Sequence, residues 1–164
     1  MDLISTKEAT ISYKCEVREQ AAQPALSIRT RTSVENLPRI IGEAFGAIAR
    51  YAADMGEQPA GPPYSAYYNM DMEDLDLEMG FPFSRKLQGK DEIQASQTPG
   101  GKVATCLYTG PYSDIGPAYD ALSQWMNENG HESTGVAYEV YLNDPDHTPP
   151  QELRTQIAFL LKSA

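Results

Sequence analysis

The residues best suited to chemistry in this chain are a glutamate and its neighbouring tyrosines, within Val136-Ala-Tyr-Glu-Val-Tyr-Leu-Asn-Asp-Pro145. β-Branched and aromatic residues dominate that run and an Asn-Asp-Pro turn closes it, which predicts a strand. A two-residue period puts Ala137, Glu139 and Tyr141 on one face, and Tyr138, Val140 and Leu142 on the other. No basic residue accompanies Glu139 in the run. A carboxylate buried without a partner is penalised by several kcal/mol, on the order of the desolvation of an ion. Glu139 therefore either faces water or waits for a positive partner. An acid of raised pKa beside a tyrosine hydroxyl is also equipped for general acid–base work.

Other reactive side chains offer less. Gly-x-Ser-x-Gly is absent, and His131 at a helix end and His147 in a turn read as surface residues. Cys15 and Cys106 fall in strand-like segments without metal spacing and read as buried free thiols. Asp71, Glu73, Asp74 and Asp76 cluster at a hairpin end but lack the glycine and ligand spacing of a calcium loop, so they read as a solvated turn. Met55, Met70, Met72 and Met79 are apolar gap-fillers. No cofactor and no metal is expected.

The net charge of −10, from 13 Lys+Arg against 23 Asp+Glu, argues against direct nucleic-acid binding, because phosphate contacts dominate that affinity. Arg29, Arg31 and Arg39 are scattered and form no basic patch. An acidic field favours cationic small molecules or basic partners. No apolar run approaches the ~20 residues of a membrane span, and no signal pattern opens the chain, so a cytoplasmic location is expected.

The elements that position Glu139 follow from periodicity. Alternation over residues 11–17 predicts a strand with Ile11, Tyr13, Cys15 and Val17 on one face, and Ala25–Arg31 a second. Ser33 reads as a helix N-cap, Pro38 as its first turn, and Ile40, Ile41, Ala44, Phe45, Ile48, Tyr51, Ala52 and Met55 as its apolar stripe, ending at Gly56. Strands over residues 64–69 and 75–81 follow. The order then recurs: strands near 93–97 and 102–108, a helix carrying Ile115, Tyr119, Leu122, Trp125 and Met126 that stops at Gly130, then strands over 136–143 and 153–161.

Sliding the chain by 74 residues exposes the repeat: Ala44, Ala47, Gly56, Gly61, Tyr64, Tyr67 and Asn69 fall on Ala118, Ala121, Gly130, Gly135, Tyr138, Tyr141 and Asn143. Roughly two such identities are expected by chance over that span. Phe45 falls on Tyr119, Ile48 on Leu122 and Tyr51 on Trp125; with an offset of 78, Leu75 meets Leu153 and Phe81 meets Phe159. Glu139 falls on Ser65, so the shared architecture does not demand the acid. The expectation is a single α+β domain over residues 1–164, with repeats over 10–84 and 91–162. Each repeat would be a strand-helix-strand-strand unit (SHS2-like). The two antiparallel sheets or halves would be related by a pseudo-twofold and carry two main helices.

The duplicated unit, Gly110-Pro-Tyr112 before the second helix, and Tyr138-Glu-Val-Tyr-Leu-Asn-Asp-Pro145 with the trailing Pro149-Pro-Gln-Glu-Leu-Arg-Thr155 resemble the GyrI-like small-molecule-binding domain. That domain is also the effector-binding domain of AraC-type and multidrug-responsive regulators. The resemblance covers about residues 10–162. It implies a cleft between the repeats and a buried glutamate at its base, which by motif is Glu139. It also implies cleft aromatics, for which Tyr67, Tyr108, Tyr141 and Trp125 are candidates; Trp125 also fits the buried face of its helix. The expected ligand is hydrophobic and cationic, since a cation gains roughly 0.5–2 kcal/mol over a well-placed ring. Hydrolysis of reactive electrophiles in the same cleft, or modulation of gyrase or another protein, are the alternatives. About ten residues precede the first strand, so a stand-alone form is expected; self-pairing through an edge strand or a protein partner stays open.

Overall fold

The computed structural model describes residues 13–162. Its elements are β1 Cys15–Gln20, β2 Pro24–Thr32, α1 Leu37–Asp54, β3 Tyr64–Tyr67, β4 Leu75–Pro82, β5 Gln94–Gln97, β6 Gly101–Thr109, α2 Gly116–Glu128, β7 Ser133–Tyr141 and β8 Arg154–Leu161. Short 3-10 turns at Val34–Asn36, Tyr112–Asp114 and Pro150–Glu152 precede α1, α2 and β8.

All eight strands join one antiparallel sheet in the order β1-β6-β8-β7-β3-β4-β2-β5. The α+β class with two main helices stands, and the two expected sheets are halves of this one. Every residue of β3 is buried, and a buried sheet edge would leave backbone donors and acceptors unpaired. Pairing β3 with β7 removes that edge and fuses the halves.

The order is symmetric about the β3–β7 junction, and the repeat offsets reproduce its register. The pair Tyr64↔Gly80 of β3–β4 maps onto Tyr138↔Ala158 of β7–β8. The first strand of each repeat is exchanged: β1 borders β6 of the second half and β5 borders β2 of the first. Ser65 pairs directly with Glu139, its own equivalent, so the pseudo-twofold axis passes between those two residues.

Both helices lie on one face of the sheet. Ala44, Ile48 and Ala52 of α1 pack on Leu26, Ile28, Tyr67, Leu77 and Met79. Ala118, Leu122 and Met126 of α2 pack on Ala104, Cys106, Tyr108 and Ile157. Burying one such leucine or isoleucine contributes about 1.5–3 kcal/mol. Gly56 and Gly130 take φ of +73° and +74° just beyond the helices, the left-handed conformation that ends a helix and favours glycine. Asn69 and Asn143, matched in the repeat, bridge equivalent loops: Asn69 Oδ1 accepts from the Asp76 N–H at 3.0 Å and Asn143 Oδ1 from the Arg154 N–H at 2.9 Å.

Several boundaries move. Strand β1 begins at Cys15, and the Ile11 and Ser12 positions assigned to it from sequence lie outside the described residues. Ser33 leads the 3-10 turn rather than α1, and its side chain caps no backbone N–H; α1 begins at Leu37 with Pro38 in its first turn. No helix among the described residues is long and apolar enough to cross a membrane.

Candidate functional site

Strand β7 carries Glu139 on the helix-covered face at the centre of the sheet, with Ser65 on one side and Ile157 on the other. Two phenols hold its carboxylate. Tyr119, near the start of α2, donates to Oε2 at 2.5 Å; Tyr141, two residues along β7, donates to Oε1 at 2.8 Å. No lysine or arginine pairs with Glu139 among the described residues.

Burial raises the Glu139 pKa, and the two phenol bonds hold it back only in part. The phenols move the same way: burial first, then the Glu139 charge, push Tyr119 and Tyr141 well above the ordinary tyrosine range. Both therefore stay protonated and donate to the carboxylate. Glu139 and Tyr141 nevertheless keep intermediate exposure as whole residues.

Rings from both halves gather around the two phenols that bond Glu139. Phe45 of α1 meets Phe81 of β4 edge-on at 5.4 Å, and Tyr119 meets Phe159 of β8 edge-on at 5.9 Å; the repeat relates these two pairs. Phe45 also meets Tyr141 at 6.0 Å, and Tyr112 meets Tyr141 at 5.7 Å. Tyr112 is 37% exposed. Burial and then the Glu139 charge raise the Tyr67 pKa, which places Tyr67 in the same cluster.

Of the residues singled out from sequence, Glu139, Tyr141 and Tyr67 come together. Tyr108 does not bond to Glu139: its hydroxyl donates to the Pro111 carbonyl at 2.6 Å. Gly110 permits this, because its φ is +145° and a Cβ there would lie 2.7 Å from the Tyr108 oxygen. The Gly-Pro-Tyr motif thus fixes the loop that carries Tyr112. Trp125 stacks on His131 at 5.6 Å and packs in the second-half core. Two helical turns separate it from the start of α2, so it lies away from the acid. Tyr119, Tyr112, Phe45, Phe81 and Phe159 were not singled out as site residues, although the repeat had matched Phe45 to Tyr119 and Phe81 to Phe159. That coincidence of aromatics was the available signal.

A profile of the GyrI-like small molecule binding domain matches residues 13–162. The chain belongs to that family. This GyrI-like domain superposes on EcmrR in an EcmrR–DNA complex with a TM-score of 0.83 and 19% identity, covering 98% of this chain and 62% of that one. It spans less than two thirds of that chain, and matches the isolated EcmrR C-terminal domain at a TM-score of 0.75 and 20% identity, covering 93% and 99% of the two chains. A hydrolase from Listeria innocua gives 0.65 and 13% identity, over 99% and 100% of the two chains. SAV2435 bound to tetraphenylphosphonium gives 0.62 and 7%, over 91% and 94%. At these identities the likeness is one of fold. No curated protein matches the chain.

The remaining titratable groups of the GyrI-like domain are elsewhere. Arg29 and Arg31 pair with Asp76 and Asp74 on the opposite sheet face, and His147 pairs with Asp144 at 2.9 Å in an exposed turn. Cys15 and Cys106 stand opposite each other across β1–β6; burial raises both thiols, Cys106 to about 12. No cluster of three metal-ligating side chains occurs among the described residues. A depression of about 280 Å³ at edge strand β5, lined by Pro24, Lys86, Ala95, Ser96 and Gln97, carries no acid and does not include Glu139 or its partners.

Proposed function

We propose that this domain binds a hydrophobic small molecule with a positive charge, held by Glu139 between the aromatic walls of the two repeats. The observation that carries this reading is a desolvated carboxylate bonded only to neutral phenols. Its charge is uncompensated by any described basic side chain, and Glu139 as a residue keeps intermediate exposure. Burial in an aromatic cleft penalises the charge, and a cation relieves that penalty while gaining from the rings. The family, and the tetraphenylphosphonium bound to SAV2435, support the same reading.

Titration with tetraphenylphosphonium, and with neutral triphenylphosphine oxide as control, tests it. Removing one partner of a buried charge pair costs about 2–5 kcal/mol, on the order of thirtyfold or more in affinity. Glu139→Gln is expected to weaken the cation by that factor and leave the neutral control unchanged. Equal weakening of both, or of neither, defeats the reading.

A second reading draws on the 2.5 Å Tyr119–Glu139 contact. A carboxyl of raised pKa bonded to a phenol is a general acid–base set, and it would act on an electrophile held by the same rings. Turnover of electrophilic substrates by the wild type, lost in Glu139→Ala, is the expected signature; its absence across such substrates sets this reading aside.

A further inference from the structure

Two hydroxyls on the helix-covered face of the sheet form no hydrogen bond. Ser65 Oγ and Thr155 Oγ1 are fully buried and lack a partner. Ser65 stands opposite Glu139 across β3–β7, and Thr155 opposite Tyr141 across β7–β8. A third such atom, Tyr64 Oη, belongs to the opposite face, where Tyr64 pairs with Val140.

An orphaned buried hydroxyl sacrifices about 1–3 kcal/mol, and nearly all buried polar groups find a partner. The fold does not require one at Ser65, because its equivalent across the axis is Glu139 itself. Directly opposed side chains in an antiparallel pair have Cβ atoms roughly 4.5–5.5 Å apart. One nitrogen can therefore sit between the carboxylate and the Ser65 hydroxyl and bond to both. Thr155 lies across β7 from Ser65, about 10 Å away by strand spacing, beyond the reach of the same nitrogen.

Resting on the cation-cleft reading above, we infer that the cation carries N–H donors: a primary ammonium, with one N–H on Glu139 and a second on Ser65 Oγ. The Ser65 hydroxyl adjoins the phenols of Tyr67 and Tyr141 without a hydrogen bond formed to either, and the ammonium takes the place of the Tyr141 hydroxyl on Glu139. A quaternary ammonium or phosphonium satisfies the charge but leaves Ser65 orphaned. Ser65 is thereby a specificity-determining residue of the cleft.

A matched pair of probes tests this: 2-naphthylmethylammonium and its N,N,N-trimethyl form, which share ring and charge and differ in N–H donors. Apolar walls alone favour the trimethyl form, which has the larger apolar surface. The wild type is expected to bind the primary ammonium at least tenfold more tightly. Ser65→Ala should bring the ratio to one or below through loss of the primary ammonium's affinity, and should melt at or above the wild type because an orphan has been removed. Thr155→Val removes the other orphan and should leave the ratio unchanged.

A wild-type ratio at or below one, a ratio unmoved by Ser65→Ala, or an equal fall in Thr155→Val overturns the inference. So does a Ser65→Ala protein that melts well below wild type, which would assign the hydroxyl to the fold. Glu139→Gln separates the two levels. If it weakens neither probe, the cation cleft itself fails; if it weakens both while the ratio tests fail, only the N–H selectivity is lost.

Discussion

Replacing Glu139 by glutamine is expected to stabilise the ligand-free protein at neutral pH while removing the charge proposed to hold a cation. The Glu139 pKa is raised in the folded state, chiefly by burial, above the 4.5 of a free glutamate. Between the free value and the raised one, the native protein binds more protons than the unfolded chain. Its stability therefore falls as pH rises through that window and is level above it. One proton gives a slope of at most about 1.4 kcal/mol per pH unit. A glutamine side chain does not titrate, yet it keeps the shape, accepts one phenol bond and donates towards the other phenol's oxygen. Urea denaturation of both proteins, in steps from pH 4 to pH 8, reads the difference. The curves should meet at the acid end and separate upwards, with the glutamine variant the more stable by neutral pH. Curves that stay parallel, or a variant less stable at neutral pH than at acid pH relative to wild type, would show that Glu139 is not desolvated in the folded protein.

Tyr119→Phe makes the second half resemble the first, where Phe45 stands at the equivalent place, and removes the bond to Glu139 Oε2. A hydrogen bond to a charged group contributes about 1.5–3 kcal/mol; stability at neutral pH should drop by up to that amount. Carboxyl-carbon NMR should show Glu139 titrating still higher, because one of the two bonds that hold its pKa down is gone. Gly110→Ala places a Cβ 2.7 Å from the Tyr108 oxygen at a φ of +145°. It should cost about 1–3 kcal/mol in urea denaturation and loosen ligand binding through Tyr112. Leu122→Ala empties a fully buried site under α2 and should cost about 2–5 kcal/mol. Leu107→Ala, at a position 41% exposed, should stay within about 0.5 kcal/mol in the same denaturation series.

Much of this protein is legible in its sequence because its signals are local. Two-residue alternation marks Glu139 and Tyr141 as sharing a strand face. Apolar spacing and a terminal glycine mark each helix, and the 74- and 78-residue offsets follow from a duplication that preserved tyrosines, glycines and asparagines. The asymmetry at Glu139 and Ser65 is also visible in one dimension. Tertiary structure alone decided how the repeats meet. Backbone pairing of β3 with β7 is a contact between segments about 70 residues apart, and no local pattern encodes it. That junction makes one sheet of two, exchanges β1 and β5 between the halves, and sets Glu139 on the symmetry axis facing Ser65. It also decided which aromatics gather around the Glu139 phenols. Tyr108 and Trp125 share residue type with those rings, but a loop carbonyl and a histidine hold them elsewhere. Tyr119 and Phe45 look like ordinary helix-core residues until the packing of both helices on one face brings Tyr119 onto the acid and Phe45 onto its partner Tyr141. The sequence determined that one carboxylate breaks the repeat; the fold determined that two phenols and an orphaned serine surround it.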